Sequence, residues 1–154
     1  MPTHSSIHFF FQSKMRLTER RRLKAFLQTI FKKEGKIIEN LVYVFCSDKY
    51  LLKINKNFLK HDFYTDTITF NFSENFTKIE GEVYISIDRV KENANRLKIN
   101  TQLEILRIVF HGALHLCGYL DKTKAQKKEI SKKEDEYLLL YSTFHVKRTS
   151  LRYR

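Results

Sequence analysis

The sequence predicts an α+β fold in which one mixed sheet packs against several helices. Segments rich in β-branched and aromatic residues are interspersed with segments whose apolar residues recur at helical spacing. The 154 residues are 42% apolar and 14% aromatic, which supports a substantial core and argues against intrinsic disorder. No repeat and no linker rich in Gly, Ser or Pro divides the chain, so residues 1–154 are expected to form a single domain.

The predicted strands are short and rich in Val, Ile, Thr, Phe and Tyr. Residues 67–72 (TITFNF) and 82–87 (EVYISI) alternate with a period of two, which is typical of a strand with one buried face. The gap between these two segments suits a hairpin or a longer loop. In chain order, the strands are predicted at 6–12, 41–46, 67–72 and 82–87.

The predicted helices combine capping residues with apolar residues at helical spacing. Thr18 is expected to cap the first helix and Gly35 to end it, while Ser47 or Asp48 caps the second and Asp88 begins the third. The buried stripe of the fourth helix is expected to comprise Leu103, Leu106, Val109, Phe110 and Leu114. The helices are predicted between Thr18 and Gly35, through Leu59, and at 88–98, 101–116 and 124–141.

Positive charge dominates the sequence and is unevenly distributed. Lys and Arg number 29 against 17 Asp and Glu, a net charge of +12, yet residues 61–110 carry more acids than bases. Such a surface attracts a polyanion, with RNA or DNA expected before a membrane, although a solubilising Lys-rich surface is the plainer alternative. The basic stripe of the first helix and the tail from about residue 145, which is expected to be frayed, are the candidate phosphate contacts.

Nothing in the sequence predicts export or insertion into a membrane. The first twelve residues lack a basic n-region followed by a sustained apolar stretch, and every apolar run is too short to cross a bilayer. The two cysteines, Cys46 and Cys117, make no disulfide framework. A cytoplasmic protein with no membrane partner is therefore expected.

A metal site is predicted at the end of the fourth helix. His111 and His115, at i and i+4, project from one helix face and can reach a single ion. Gly118 can reverse the chain after the helix so that Asp121 returns as a third ligand. Three protein ligands and an open position are typical of catalytic zinc, whereas a pair of hydrogen-bonded core histidines is the structural alternative. Cys117 is a nearby soft donor that is expected to belong to the core.

Residues 111–121 (HGALHLCGYLD) resemble the H-G-x-L-H-L-x-G-Y-D-H signature of the YbeY family, bacterial metal-dependent endoribonucleases that mature ribosomal RNA. Residues 57–70 (NFLKHDFYTDTITF) resemble the family segment N-x-x-Y-R-x-x-D-x-P-T-D-V-L-S-F, and residues 81–86 (GEVYIS) resemble its G-D-I-x-I-S strand. The resemblance spans roughly residues 40–140. It implies one zinc ion per chain, the 3′ end of small-subunit (16S) ribosomal RNA as substrate, and the ribosome as partner.

Two departures from the family pattern affect the expected site. The third His of the signature falls on Asp121, which remains a legitimate ligand but lowers the net charge of the site, so a bound water should be less acidic. The Arg of the upstream segment falls on Leu59, which leaves Lys60 as a candidate substitute.

Other residues near the motifs are candidates for substrate contact. Arg107 lies one turn before His111 and could clamp the scissile phosphate, or instead pair with Glu104 on the same helix. His61, and Asp62 and Asp66 beside it, lie in the second family-like segment and could border the site, although turn or capping roles are slightly favoured for the two aspartates. Single-stranded RNA is the expected substrate, because cleavage needs a backbone that adapts to the pocket.

Three other functions remain open from the sequence. A metallopeptidase would share the spacing H-E-x-x-H-x-x-G-x-x-H, but position 112 is Gly and the general-base Glu is absent. Two His and one carboxylate also match the ligands of non-haem iron oxygenases. A basic ribosome-assembly factor with a structural metal would bind RNA without cutting it. The sequence predicts no oligomeric state.

Overall fold

The computed structural model describes residues 6–61 and 64–146, and this part of the chain forms four strands and five helices. The mixture of one sheet with several helices confirms the predicted α+β class. In chain order the elements are β1 (Ile7–Phe11), α1 (Arg20–Lys33), β2 (Ile37–Cys46), α2 (Asp48–Leu59), β3 (Thr67–Asn71), β4 (Lys78–Ser86), α3 (Ile87–Leu97), α4 (Thr101–Leu116) and α5 (Lys124–Ser142). Within the described ranges, no helix is long and apolar enough to span a membrane.

The sheet has the strand order β1-β2-β4-β3 and is mixed. Strands β1, β2 and β4 run parallel, and β3 pairs antiparallel with β4, in agreement with the hairpin or longer loop predicted between these two strands. Across the middle of the sheet, Phe9 is in register with Tyr43, Tyr43 with Val83, and Val83 with Thr69. The part of this row on β4 and β3 lies beneath α4, which contacts both strands.

The two faces of the sheet pack against different helices. Phe45 and Ile85 belong to the main core, which also includes buried residues of α1, α4 and α5. Cys46, the next residue along β2, instead packs with Leu51 of α2 in a second, smaller cluster. Because successive side chains of a strand point to opposite faces, α2 must cover the face opposite α1 and α4.

Helix α4 lies very close to β4, and this close packing fixes the distance of its two histidines from the sheet. A Cβ on Gly112 would lie 2.6 Å from Val83 Cγ1, and one on Gly81 would lie 2.6 Å from Leu116 Cδ2. The buried Tyr43 hydroxyl also donates to the Val109 carbonyl at 2.7 Å. The carboxyl-terminal half of α4 is therefore held on the sheet by close packing and by one hydrogen bond from beneath.

Most predicted helix boundaries agree with the structure, and two details are wrong. Ser47 caps α2 and Ser86 caps α3 through side-chain hydrogen bonds, whereas Thr18 does not cap α1. Instead, α1 begins after Glu19, whose backbone is left-handed (φ 54°) and whose side chain makes no capping bond. Leu103 is 42% exposed and lies outside the buried stripe of α4, because the adjoining sheet covers a different side of the helix. The predicted basic tail beyond residue 146 lies outside the described residues.

Candidate metal centre

The last two turns of α4 and the loop after it bring three ligand atoms together. His111 Nε2 and His115 Nε2 lie 3.0 Å apart, and Asp121 Oδ2 lies 3.4 Å from the first and 3.2 Å from the second. Among the described residues, these three form the group of side chains that could hold a metal ion. The structure therefore juxtaposes the three residues that the sequence singled out.

The hydrogen bonds of the two imidazoles aim lone pairs at the centre of this triangle. His115 Nδ1 lies 2.9 Å from the Tyr119 carbonyl, which can only accept, so Nδ1 carries a proton and the tautomer with the lone pair on Nε2 is selected for the neutral ring. His111 Nδ1 likewise donates to the Glu134 carboxylate at 2.6 Å. With neutral imidazoles, three acceptor atoms face one another without a proton between them, an arrangement that repels unless a cation is present.

The dimensions of the triangle fit a metal ion such as zinc. Zinc ligands lie about 2.0–2.2 Å from the ion, so two ligands at the tetrahedral angle are about 3.3–3.6 Å apart. The observed separations of 3.0–3.4 Å are close to this range. His111, His115 and Asp121 could thus hold one ion and leave a fourth position toward solvent, where the Asp121 side chain is 42% exposed.

A tight turn after α4 returns the chain to the histidines. Gly118 has φ 107°, a conformation that disfavours residues with a Cβ, and its N–H donates to the His115 carbonyl at 3.0 Å. The Tyr119 N–H donates to the Leu114 carbonyl at 3.0 Å, which closes the helix end. This turn places both the Tyr119 carbonyl and Asp121 on the side of the helix that carries His115.

Glu134 of α5 is a site residue that the sequence analysis missed. Its side chain is only 5% exposed; one carboxylate oxygen accepts from His111 Nδ1 and the other lies 3.7 Å from Arg107 Nη1. Burial opposes protonation of His111, but the hydrogen bond and the negative charge of Glu134 outweigh it, so the pKa of His111 is raised. A signal was present in the sequence: Glu134 occupies a core position in the helical series of Ile130, Tyr137 and Tyr141.

Arg107 makes the ion pair that was one of its two predicted roles, and it also faces the cleft. Its Nε lies 3.1 Å from Glu104 Oε1, but neither atom has an aligned hydrogen-bond partner among the described residues. Glu104 is 3% exposed, and its pKa is raised because burial outweighs the attraction of Arg107. The Arg107 side chain is one-third exposed, so charge holds it in place while it remains open to solvent.

A cleft of about 300 Å³ opens beside the cluster. His111, Asp121, Arg107 and Glu134 line it, together with Asp66 from the start of β3, which the sequence analysis placed near the site. Its walls also include Lys127 of α5, a cation that the sequence analysis did not select. Two of the three candidate ligands, His111 and Asp121, therefore border an open cleft with two basic side chains on its wall.

Lys60 and His61, the other candidate site residues, lie at the end of α2. Lys60 takes the left-handed conformation that ends this helix (φ 59°), and the His61 N–H donates to the Asn55 carbonyl. Neither is among the residues that line the cleft. Asp62, the next candidate, lies outside the described residues.

Comparison with known proteins places these features in a family. A family model described as Endoribonuclease YbeY matches residues 7–142. Relatives named "Endoribonuclease YbeY" include one from Cytophaga hutchinsonii, 48% identical over 86% of this chain and 94% of its own, and one from Amoebophilus asiaticus, 37% identical over 90% and 95%. The solution structure of TM1509 from Thermotoga maritima matches with a TM-score of 0.65 and 28% identity, covering 88% of each chain.

Proposed function

The chain belongs to the endoribonuclease YbeY family, and on this premise we propose that it is a metal-dependent endoribonuclease centred on His111, His115 and Asp121. The observation that carries the proposal is the convergence of three acceptor atoms, 3.0–3.4 Å apart, at the edge of an open cleft. A purely structural metal would favour four protein ligands and a closed site.

The ion we propose is one zinc per chain. Two imidazoles and a carboxylate occur as the ligands of catalytic zinc, and separations close to those of a tetrahedral site support zinc over the octahedral iron that the same donors can bind. A zinc ion there would polarise a phosphoryl oxygen or lower the pKa of a water molecule toward neutrality.

The residues around the ligands have distinct proposed roles. Glu134 holds the His111 ring in the tautomer that presents Nε2 to the ion. Arg107 and Lys127 bind phosphate oxygens of the RNA from the wall of the cleft. Lys60 and His61, which are exposed at the end of α2 and outside the cleft lining, are proposed to contact the RNA beyond the cleft.

The RNA is proposed to be single-stranded and to extend over the outer face of α1. Arg20, Arg21 and Lys24 line a groove of about 490 Å³ there, and none of them forms an ion pair with a carboxylate of the described residues. Arg20 lies over the Phe11 ring and Lys24 over the Phe9 ring, and these contacts hold the two cations at the surface of the groove, where they can contact phosphates.

The cellular substrate is proposed to be the 3′ end of small-subunit (16S) ribosomal RNA, with the small subunit as the partner that presents it. The net charge of +12 supports attraction to ribosomal RNA. A peptidase is less well supported, because Gly112 faces Val83 in the core and no general-base carboxylate fits at that position.

The test is cleavage of a single-stranded RNA that carries this 3′ end. Wild type, His115→Ala and His145→Ala are purified in parallel; the last makes the same substitution at an exposed residue after α5. Zinc-dependent cutting by wild type and His145→Ala, but not by His115→Ala, is expected. Equal cutting by all three would point to a contaminating nuclease. Tight binding without cutting, even on intact small subunits, would favour the non-catalytic assembly factor.

A further inference from the structure

The carboxylate of Glu34, at the end of α1, joins three elements behind the metal centre. Glu34 Oε1 accepts from the Tyr119 hydroxyl at 2.9 Å, and Oε2 accepts from the Tyr137 hydroxyl at 2.5 Å. The Glu34 side chain is 13% exposed, and Lys133 Nζ lies 3.6 Å from Oε2. Both oxygens therefore have partners, on the loop after α4 and on α5.

The backbone around Glu34 is itself well fixed. Its N–H donates to the Ile30 carbonyl, Gly35 then turns the chain with φ 76°, and the Lys36 N–H returns to the Phe31 carbonyl at 2.7 Å. Helix α1 packs against the sheet through fully buried residues such as Phe31. The carboxylate is consequently a fixed point to which the loop after α4 is attached through Tyr119.

Tyr119 connects the Glu34 carboxylate to His115 by two hydrogen bonds. The hydroxyl of Tyr119 binds Glu34 while the carbonyl of the same residue accepts from His115 Nδ1 at 2.9 Å. Tyr119 also lies two residues before Asp121, so its side chain limits how far the loop can move. Loss of the hydroxyl contact would free the carbonyl that sets the tautomer and direction of one imidazole.

The same carboxylate is connected to His111 indirectly, through Tyr137 and Glu134 of α5. Tyr137 is three residues after Glu134 on α5, so the two side chains lie on one helix face about one turn apart. Glu134 accepts from His111 Nδ1 at 2.6 Å. A hydrogen bond that fixes Tyr137 therefore also fixes the rotation of α5 that brings Glu134 to the ring.

We infer that Glu34 is a positioning residue of the metal centre, which holds the partners of both histidines in place without touching the ion. The inference rests on the proposed metal site and adds to it a residue 77 positions before the first ligand in the sequence. Partners of metal-bound histidines typically affect metal affinity by about 10–100-fold. An effect of this size on zinc affinity is expected at Glu34, because it holds Tyr119, the partner of His115, and Tyr137, which lies one turn from Glu134, the partner of His111.

The test measures zinc affinity by chelator competition in wild type, Glu34→Gln, Tyr119→Phe and the double variant. Glu39→Gln, an identical change at an exposed residue of β2, is the control. Glu34→Gln is expected to weaken zinc binding by about 10–100-fold, with the melting temperature of the metal-free protein close to that of wild type. Tyr119→Phe should weaken it less, and the double variant should bind no more weakly than Glu34→Gln alone, because both changes break one chain of contacts.

The outcomes separate this inference from the proposed function. If wild type binds no zinc, the proposed metal site itself fails. If wild type binds zinc and Glu34→Gln binds it equally well, the positioning role is wrong. A fall in melting temperature with unchanged affinity would also overturn it, since that result describes a stabilising residue only. If Glu34→Gln does not fold, the zinc affinity of Tyr119→Phe decides, because removing one hydroxyl leaves the packing of the ring in place. Zinc binding equal to that of wild type in this variant would then show that the positioning role is wrong.

Discussion

At the end of α4 the charged side chains face partners, whereas on the outer face of α1 they face solvent. His111 contacts both Glu134 and Asp121, and Arg107 contacts two buried carboxylates. On α1, Arg20, Arg21 and Lys24 line an open groove and form no ion pair within the described part of the chain. This difference supports the proposal that the first region holds a small cation in a fixed geometry and that the second attracts the RNA.

On α1, the direction in which an arginine side chain points decides whether it is bound within the protein or faces solvent, as Arg22 shows. Its guanidinium turns inward and donates to the Phe144 carbonyl at 2.9 Å and to the Tyr141 carbonyl, which caps the end of α5. Its neighbours Arg20 and Arg21 point to the groove. We therefore expect Arg22 to contribute to stability and its neighbours to binding.

The largest expected effect comes from removing a ligand. His111→Ala should lower the RNA cleavage rate at least about 1,000-fold, because the ion would lose one of three ligands and the Glu134 contact. RNA affinity should stay within about twofold of wild type, since the α1 groove is untouched. Single-turnover cleavage and fluorescence anisotropy measure the two quantities. A large loss of RNA binding would contradict the assignment of cleavage to the ligand cluster and of RNA binding to the α1 groove.

A smaller effect is expected when only the partner of a ligand changes. Glu134→Gln keeps the size of the side chain but weakens the hydrogen bond to His111 Nδ1, so zinc affinity should fall about 10–100-fold. Excess zinc should restore most of the cleavage rate. Glu129→Gln, a matched change at an exposed residue of the same helix, should have no effect. Failure of zinc to rescue the Glu134 variant would assign Glu134 a more direct part in the chemistry.

The α1 groove is tested by neutralising its cations. Arg20→Gln, Arg21→Gln and Lys24→Gln together should lower the slope of log affinity against log salt by about 2, because each single-strand phosphate contact contributes about 0.7. The cleavage rate at saturating RNA should not change. Lys49→Gln, Lys91→Gln and Arg96→Gln remove the same charge from exposed residues of α2 and α3. If both triple variants lose the same slope, the net charge matters and the groove does not.

The smallest expected change concerns the departure from the family signature. Asp121→His should retain metal binding and move the pH–rate profile to lower pH, because a neutral ligand raises the net charge of the site. Rates at the respective optima should agree within about tenfold. The measurement is the cleavage rate between pH 5 and pH 9 at saturating zinc. An unmoved profile would count against Asp121 as a ligand.

The sequence predicted the local parts of this molecule well. The helix at 101–116 matches α4, and the His111, His115 and Asp121 set depends on spacing within eleven residues and one glycine turn. Such features follow from helical periodicity and backbone freedom, which are local properties. The two strands β3 and β4 were predicted from another local property, their alternation with a period of two, with a hairpin or a longer loop expected between them.

The long-range contacts were not predictable in this way. Glu34 and Glu134 reach the site because α1 and α5 pack beside α4, and no local pattern specifies that packing. Thr18 was wrongly predicted as a cap because the chain instead turns at Glu19 with a left-handed backbone. Of these two glutamates, only Glu134 gave a signal in the sequence, because it is a carboxylate within the otherwise apolar helical stripe of α5.

The central claim is that one metal ion at this cluster drives RNA cleavage. The most direct test titrates zinc into metal-free wild type and His115→Ala while bound zinc and the initial rate of RNA cleavage are recorded together. Both quantities are expected to rise together in wild type and to level off at one equivalent per chain, and neither should rise in the variant. Cleavage that is independent of zinc, or equal in His115→Ala, would contradict it.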